Sequence, residues 1–307
     1  MNRVDVVIPV FNNNESLEIL IGEISKFNTQ DARIRIILVD DGSTDESWKT
    51  ILKLAHEQKY NIHGIKLTKN FGQLSALKAG YSEVNADAVV TISADLQDPP
   101  NLVNQMIEEW KNGARLVICS RTKRVDSLLV RITSFIAYKI LGTEVNGIPK
   151  GGFDTFLMDQ KIFVPLIRLK GRFNFLQADV LSFGITPKII KYSRLERPYG
   201  RSEYTFAKRY RNFTDGLVDS SYLFIRWSIR IGSFITFSGF SFAALLFVAK
   251  LQNKSPFNGF TLIACSILII GGVQIMMIGI LGSYIWRIYD AARERPAFLI
   301  DEIKSTP

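Results

Sequence analysis

Ile34-Arg35-Ile36-Ile37-Leu38-Val39-Asp40-Asp41-Gly42-Ser43-Thr44-Asp45-Glu46-Ser47 reads as a strand, a tight turn and the opening of a helix. A short β-branched run ends on two adjacent carboxylates. Gly42 permits the turn, and Ser43 with Glu46 three residues later has the spacing of a capping box. The same alternation extends in both directions. Val4–Val10, Ile62–Leu67, Ala88–Ser93 and Leu116–Ser120 are further short apolar runs bounded by turn or polar residues. Between the strands, Glu15–Phe27, Asp45–Glu57, Gln73–Val84 and Pro100–Trp110 repeat apolar residues at helical spacing. Strand–helix alternation predicts an α/β fold, a mostly parallel sheet with helices on both faces. Ligands of such sheets bind beyond the carboxyl ends of the strands. Beyond residue 120 the alternation weakens.

The chain has 307 residues, a formal net charge of +9 and two cysteines. Two stretches carry no charge: Ile231–Ala249, 19 residues, and Ser255–Trp286, 32 residues. A bilayer core needs roughly 20 apolar residues in a helix, so a two-span transmembrane hairpin over 231–286 is expected. Basic residues flank it: Lys208, Arg209, Arg211, Arg226 and Arg230 before, Arg287, Arg293 and Arg295 after. The positive-inside rule then puts the head and both termini on the cytoplasmic side of a cell inner membrane, as a multi-pass protein. No basic segment and short apolar stretch opens the chain, so no cleaved signal peptide is expected. Ser127–Leu141 and Thr205–Trp227 are amphipathic and basic, and the second is expected to lie in the interface. The organisation expected is a catalytic domain over 1–204, interfacial helices over 205–230, the hairpin, and a tail over 287–307. Nucleic acid is excluded as a partner, because zinc spacing, a helix-turn-helix and an aromatic-basic platform are all missing. Attraction to anionic membrane lipids and phosphorylated ligands accounts better for the charge. Cys119 in a strand and Cys265 in a span are poor disulfide partners.

Capping accounts for Ser43 to Glu46, but not for Asp40 and Asp41 side by side at a strand end. Carboxylates there suit the base N–H and ribose hydroxyls of a nucleotide. The fourth strand runs into Ser93-Ala94-Asp95-Leu96-Gln97-Asp98-Pro99-Pro100. Asp95 and Gln97, two apart in extended chain, should point the same way and form part of a shell for Mg²⁺ or Mn²⁺, completed by diphosphate oxygens and water. Asp98 reads as an N-cap with proline at the first helical position.

VVIPVFNNNESL, VDDGSTDES, KNFGQLSALKAG and SADLQDPP, in this order and spacing, resemble family 2 glycosyltransferases with a GT-A nucleotide-sugar domain. Within them the chain is similar to the polyprenyl-phosphate glycosyltransferases: dolichyl-phosphate mannose synthases and the bacterial bactoprenol glucosyltransferases. GGVQIMMIGILGSYIWRIYDAARERP resembles the second span and tail of the bacterial branch. The resemblance implies that Pro9, Glu15, Asp40 and Asp41 line the nucleotide sugar, with Asn70 and Gly72 close by. Asp95 and Gln97 match metal-binding positions. Ser93, kept among the nucleotide-sugar contacts, replaces the family's first Asp. GGFDTFLMD resembles the family's GDFRLMD segment, putting Asp154 at the catalytic position and Phe156 where Arg is usual. Arg121 and Arg131 match basic positions near the acceptor phosphate. Arg197, Arg201 and Ser202 lie in a segment like the family's RxxGxSKY loop, with Glu203 in place of Lys, and are the expected anion contacts.

The activity implied is an inverting, metal-dependent transfer of one sugar from a nucleotide sugar to polyprenyl phosphate, with UDP-glucose as the expected donor. A lipid phosphate is already anionic, so Asp154 either accepts a remaining proton or orients the acceptor. Two other readings fit the sequence: transfer to another lipid such as diacylglycerol, and a non-catalytic membrane scaffold. Gly271, Gly272, Gly279 and Gly282 suit close helix packing, and a homo-oligomer is expected.

Overall fold

Val4, Val6, Ile8 and Val10 alternate with Val7 along β1 (Asn2–Val10), and the two sets feed two different apolar cores. Successive side chains of a strand point to opposite faces, so a nearly continuous buried run marks a strand covered on both. In a computed structural model the described residues are 2–27, 32–57, 59–122, 149, 152–168, 176–195, 230, 234, 237–238, 241, 248, 259–292 and 296–306. The chain divides into two compact units, Met1–Gly216 with Arg295–Pro307, and Leu217–Glu294.

In the first unit, β1 is followed by α1 (Asn14–Ser25), β2 (Ala32–Asp40), α2 (Ser47–His56), β3 (Ile62–Leu67), α3 (Gln73–Ser82), β4 (Ala88–Thr91), α4 (Leu102–Lys111) and β5 (Leu116–Arg121). These are the strands and helices expected from the periodicity, with ends moved by a few residues. Then come β6 (Phe156–Asp159), α5 (Gln160–Ile167), α6 (Leu176–Ser182), β7 (Lys188–Tyr192) and, near the C-terminus, β8 (Ile300–Ser305). The eight-stranded order is β7-β5-β6-β4-β1-β2-β3-β8. β1 pairs in parallel with β2 and β4, β2 with β3, and β5 with β7, whereas β6 and β8 run antiparallel to their neighbours. Side chains of α1, α2 and α4 pack on one face, and those of α3, α5 and α6 on the other. The mostly parallel α/β sheet is therefore as expected. β6, β7 and β8 were not expected, because they lie beyond residue 120, where the strand–helix alternation weakens.

Three local expectations are corrected. β4 stops at Thr91 rather than Ser93, because the chain turns off the sheet on the way to Leu96, whose φ is +56°. Ser43 and Glu46 form no capping box: the Ser43 hydroxyl accepts from the Asn12 N–H at 3.0 Å, and α2 has no side-chain cap bond at Glu46. Asp98 is not the cap of α4, which starts at Leu102 after Asn101.

In the second unit, α7 (Gly259–Ala292) covers most of the second charge-free stretch. Among the described residues no helix is long and apolar enough to cross a membrane. The expected multi-pass inner-membrane localisation with cytoplasmic termini is corrected accordingly, and the expected hairpin over 231–286 finds no support among the described residues. Ser127–Leu141 and Thr205–Trp227 lie outside the described residues, as does most of Ile231–Ala249.

β8 closes the edge beyond β3. Thr306 takes the Ile62 N–H on its hydroxyl at 3.0 Å, Ser305 meets His63 at 2.8 Å, and Glu302 accepts from the Trp48 indole at 3.3 Å. Truncation before Leu299 removes this ladder from the first unit. We expect it to lower the unfolding free energy by about 3 kcal/mol or more, counting about 1 kcal/mol per lost hydrogen bond. A urea midpoint equal to that of the full chain would show the strand to be dispensable.

Candidate active site

Because β1, β2 and β4 run parallel, their carboxyl ends emerge at one sheet edge, with Val10 opposite Asp40 and Val7 opposite Thr91. Asp40 and Asp41 are both buried there, at 0% and 3% exposure. The Asp41 carboxylate accepts two backbone N–H bonds, from Phe71 at 2.7 Å and Gly72 at 2.9 Å, and so ties the end of β2 to the start of α3. Burial nevertheless dominates and pushes Asp41 up to about 6 from its ordinary 3.8. Asp40 is also raised, by burial first, against the hydrogen bonds from Ser43 that lower it. One Asp40 oxygen receives the Ser43 N–H at 3.3 Å, while Oδ2 is buried without a hydrogen-bond partner in the described structure. A buried acceptor in that condition suits a ligand N–H or hydroxyl.

Gly42 makes this corner possible. Its φ is +67°, and a Cβ there would lie 2.4 Å from the Lys69 carbonyl carbon and 2.6 Å from the Asn70 nitrogen. Asn70 is exposed beside it, and Gly72, with φ +95°, stands just before α3. Pro9 is half-buried near the end of β1, and Glu15 is exposed in the first turn of α1. Asn12, at φ +52°, accepts from the Thr44 N–H at 2.9 Å and fastens the β1 loop to the β2 loop.

The segment after β4 differs from the extended chain that was expected. Leu96 adopts a left-handed conformation, uncommon for a bulky residue and found chiefly at functional turns. Asp95 Oδ1 accepts the Gln97 N–H at 3.2 Å across that turn. The extended chain expected between Asp95 and Gln97 is thus corrected, since they flank a turn. Ser93 is half-buried just upstream. Asp95 Oδ2 lies 3.8 Å from Arg194 Nη2, so this carboxylate already attracts a cation. Among the described residues no group of three or more His, Cys, Asp or Glu side chains could hold a metal. One carboxylate and a nearby amide fit Mg²⁺ or Mn²⁺ only in the mode where phosphate oxygens and water supply the remaining ligands.

Asp154, 44% exposed, receives Arg121 Nη2 at 2.5 Å and Gln177 Nε2 at 3.3 Å. Burial works against the Arg121 charge, but Asp154, Tyr192 and Asp98 outweigh it and hold its pKa above the usual value. Arg121 therefore meets Asp154 directly, a contact its expected role near the acceptor phosphate did not include. Arg131, Arg197, Arg201 and Ser202 lie outside the described residues. Sequence reasoning missed Arg194, Tyr192 and Gln177 around this site and misread Asp98. The available signal was Lys188–Tyr192, a short strand pattern ending in a phenol and followed closely by an arginine.

The family model described as Glycosyl transferase family 2 matches residues 5–151. The chain is similar to the undecaprenyl-phosphate 4-deoxy-4-formamido-L-arabinose transferase of Photorhabdus laumondii, at 32% identity over 99% of this chain and 94% of the relative. The enzyme of the same name from Yersinia enterocolitica is 33% identical, again over 99% of this chain and 94% of that one. The bactoprenol glucosyl transferase of Shigella phage SfV is 31% identical over 98% of this chain and 99% of the relative.

The raised Asp41 has a consequence for stability. Its folded pKa of about 6 exceeds its ordinary 3.8, so the folded state binds this proton more tightly than the unfolded one. The resulting stabilisation is complete below about pH 4 and is lost as pH rises through 6, on the order of 3 kcal/mol in all. Asp41→Asn should flatten the corresponding slope of unfolding free energy between pH 4 and 6.5. An equal slope in wild type and variant would remove Asp41 as its source.

Proposed function

The chain belongs to glycosyl transferase family 2, and from that premise we propose that it transfers a single sugar from a nucleotide sugar to a polyprenyl phosphate, with inversion. It is a glycosyltransferase enzyme; the acceptor, donor and metal are the proposal. The observation that carries it is the polar chain along the carboxyl edge of the sheet. Asp95 lies 3.8 Å from Arg194, Arg194 lies 3.8 Å from Asp98, Tyr192 bonds Asp98 at 2.5 Å, Arg121 bonds Tyr192 at 3.3 Å, and Asp154 bonds Arg121 at 2.5 Å. A donor-side carboxylate is thereby linked to an acceptor-side carboxylate. The names of the three relatives support a polyprenyl-phosphate acceptor and differ in the sugar.

In this reading Asp40 and Asp41 receive the N–H and hydroxyl groups of the nucleoside, with Pro9, Glu15, Asn70, Gly72 and Ser93 around it. Asp95, with Gln97, would hold Mg²⁺ or Mn²⁺ against the diphosphate. Such an ion supplies neutralisation of the charge that builds on the departing nucleoside diphosphate. Arg131, Arg197, Arg201 and Ser202 are proposed as phosphate contacts. The acceptor phosphate, anionic at neutral pH, attacks the anomeric carbon, while Arg121 holds one Asp154 oxygen so that the carboxylate keeps a fixed direction. UDP-glucose is the proposed donor, residues 1–204 the proposed catalytic domain, and a homo-oligomer the proposed assembly.

The direct test offers a panel of labelled nucleotide sugars with undecaprenyl phosphate and Mg²⁺ or Mn²⁺, and identifies the labelled lipid. Polyprenyl-phosphate-glucose is expected. Labelling of diacylglycerol instead would overturn the acceptor. Asp95→Ala should lower metal-dependent transfer at least 100-fold, and activity near wild type would remove Asp95 from the cation. Asp154→Asn should retain donor binding while losing most turnover; equal turnover would end its catalytic role.

A further inference from the structure

Asp98 is fully buried, yet it belongs to neither the donor contacts nor the cation ligands described above. Its Oδ1 accepts the Tyr192 hydroxyl at 2.5 Å and its Oδ2 accepts the Thr155 hydroxyl at 2.7 Å, with Arg194 Nε 3.8 Å away. Thr155 and Tyr192 are themselves buried, at 0% and 7% exposure. One side chain in the loop after β4 therefore gathers three other segments: the residue preceding β6, the last residue of β7 and, through Tyr192, the last residue of β5.

Burying a carboxylate costs several kcal/mol that an ion pair at 3.8 Å only partly offsets. What it supplies in return is direction. Both hydroxyls donate to it, one to each oxygen. With its proton committed to Asp98, the Tyr192 oxygen turns a lone pair outward, and Arg121 Nε donates to it at 3.3 Å. The Arg121 fork is thereby anchored at Nε, and its Nη2 is the atom that grips Asp154. On the other side Thr155 follows Asp154 in the chain, and its carbonyl accepts the Cys119 N–H at 2.9 Å, which fixes the backbone on which Asp154 stands.

We infer that Asp98 is a positioning residue for the transfer: through Tyr192 and Arg121, and through Thr155, it sets where the Asp154 carboxylate stands. The inference rests on the catalytic reading of Asp154. It differs from a packing role in what substitution should do. Asp98→Asn keeps the volume but places an amide donor where two hydroxyl protons now point. The amide keeps an acceptor for one hydroxyl only, so the other must turn its proton away, and one of the two arms that fix Asp154 loses its direction.

The test combines turnover with a measurement that needs no acceptor. Tyr192→Phe, which keeps the ring, should lower kcat at least tenfold while changing the donor dissociation constant less than twofold. Asp98→Asn should behave alike, and the double variant should lose no more than the worse single one, since the two act through one path. Losses that multiply, or kcat within twofold of wild type in Tyr192→Phe, would overturn the inference. So would kcat per donor-binding site unchanged while only the melting temperature falls, which marks a packing role. Independently, the ¹⁵N resonance of Arg121 Nε–H, identified by its loss in Arg121→Lys, should move in Asp98→Asn although residue 98 does not bond Arg121. An unmoved resonance overturns the inference even if transfer to polyprenyl phosphate is confirmed. A moved one with Asp154→Asn fully active would retain the linkage and reject the role of Asp154 instead.

Discussion

Parallel pairing of β1 with β2 and β4 is the constraint on which the site depends. Parallel strands need crossovers, and the crossovers here are helices that cover both faces of the sheet. The turns that follow these parallel strands then fall at one edge. Asp40 and Asp41 come from one turn and Asp95 from another, 55 residues later in the chain. No contact between these turns is needed to gather them, because the ladder of hydrogen bonds does it. The antiparallel insertion of β6 between β4 and β5 adds Asp154, which immediately precedes Thr155 and that strand, to the same neighbourhood.

The carboxylates collected there are handled in different ways, and the differences follow from what surrounds each. Asp41 is held by two backbone N–H groups and still titrates high, because burial outweighs them. Asp40 has one oxygen engaged and one buried without a partner in the described structure, which leaves capacity for a ligand. Asp98 is satisfied by two hydroxyls, and Asp154 by a guanidinium at its more exposed position. Acceptors held in place before a substrate arrives need no reorganisation when charge moves, which is where preorganised electrostatics contributes most. The left-handed Leu96 belongs to the same arrangement, since it turns the chain so that Asp95 and Asp98 sit on either side of one bend.

Much of this was legible in the residues. Short apolar runs bounded by turn residues identified β1 to β5, and the carboxylates Asp40 and Asp41 do stand where β2 ends. The errors share one cause: each took a local pattern for a three-dimensional fact. Ser43 and Glu46 have capping-box spacing, but Ser43 is claimed by Asn12 from another turn. Asp98 precedes two prolines, as a cap does, yet it bonds Thr155 and Tyr192, 57 and 94 residues away. Asp95 and Gln97 sit at the spacing of one strand face, and a single positive φ between them removes the strand. The charge-free stretches met one condition for a membrane span, while among the described residues no helix meets them all.

Sequence alone determined the alternating elements, the sheet they form and the chemical identity of the strand-end residues. Hydrophobic period and turn chemistry are local, and the chain order of motifs carries the family. Tertiary structure alone decided which polar groups meet: Arg121 with Asp154, Asp98 with Tyr192 and Thr155, Arg194 between Asp95 and Asp98. Such partnerships join residues far apart in the chain, and they depend on strand order, on an inserted antiparallel strand and on one left-handed residue. No spacing along the chain encodes these, because they arise only when separate turns are brought to the same edge.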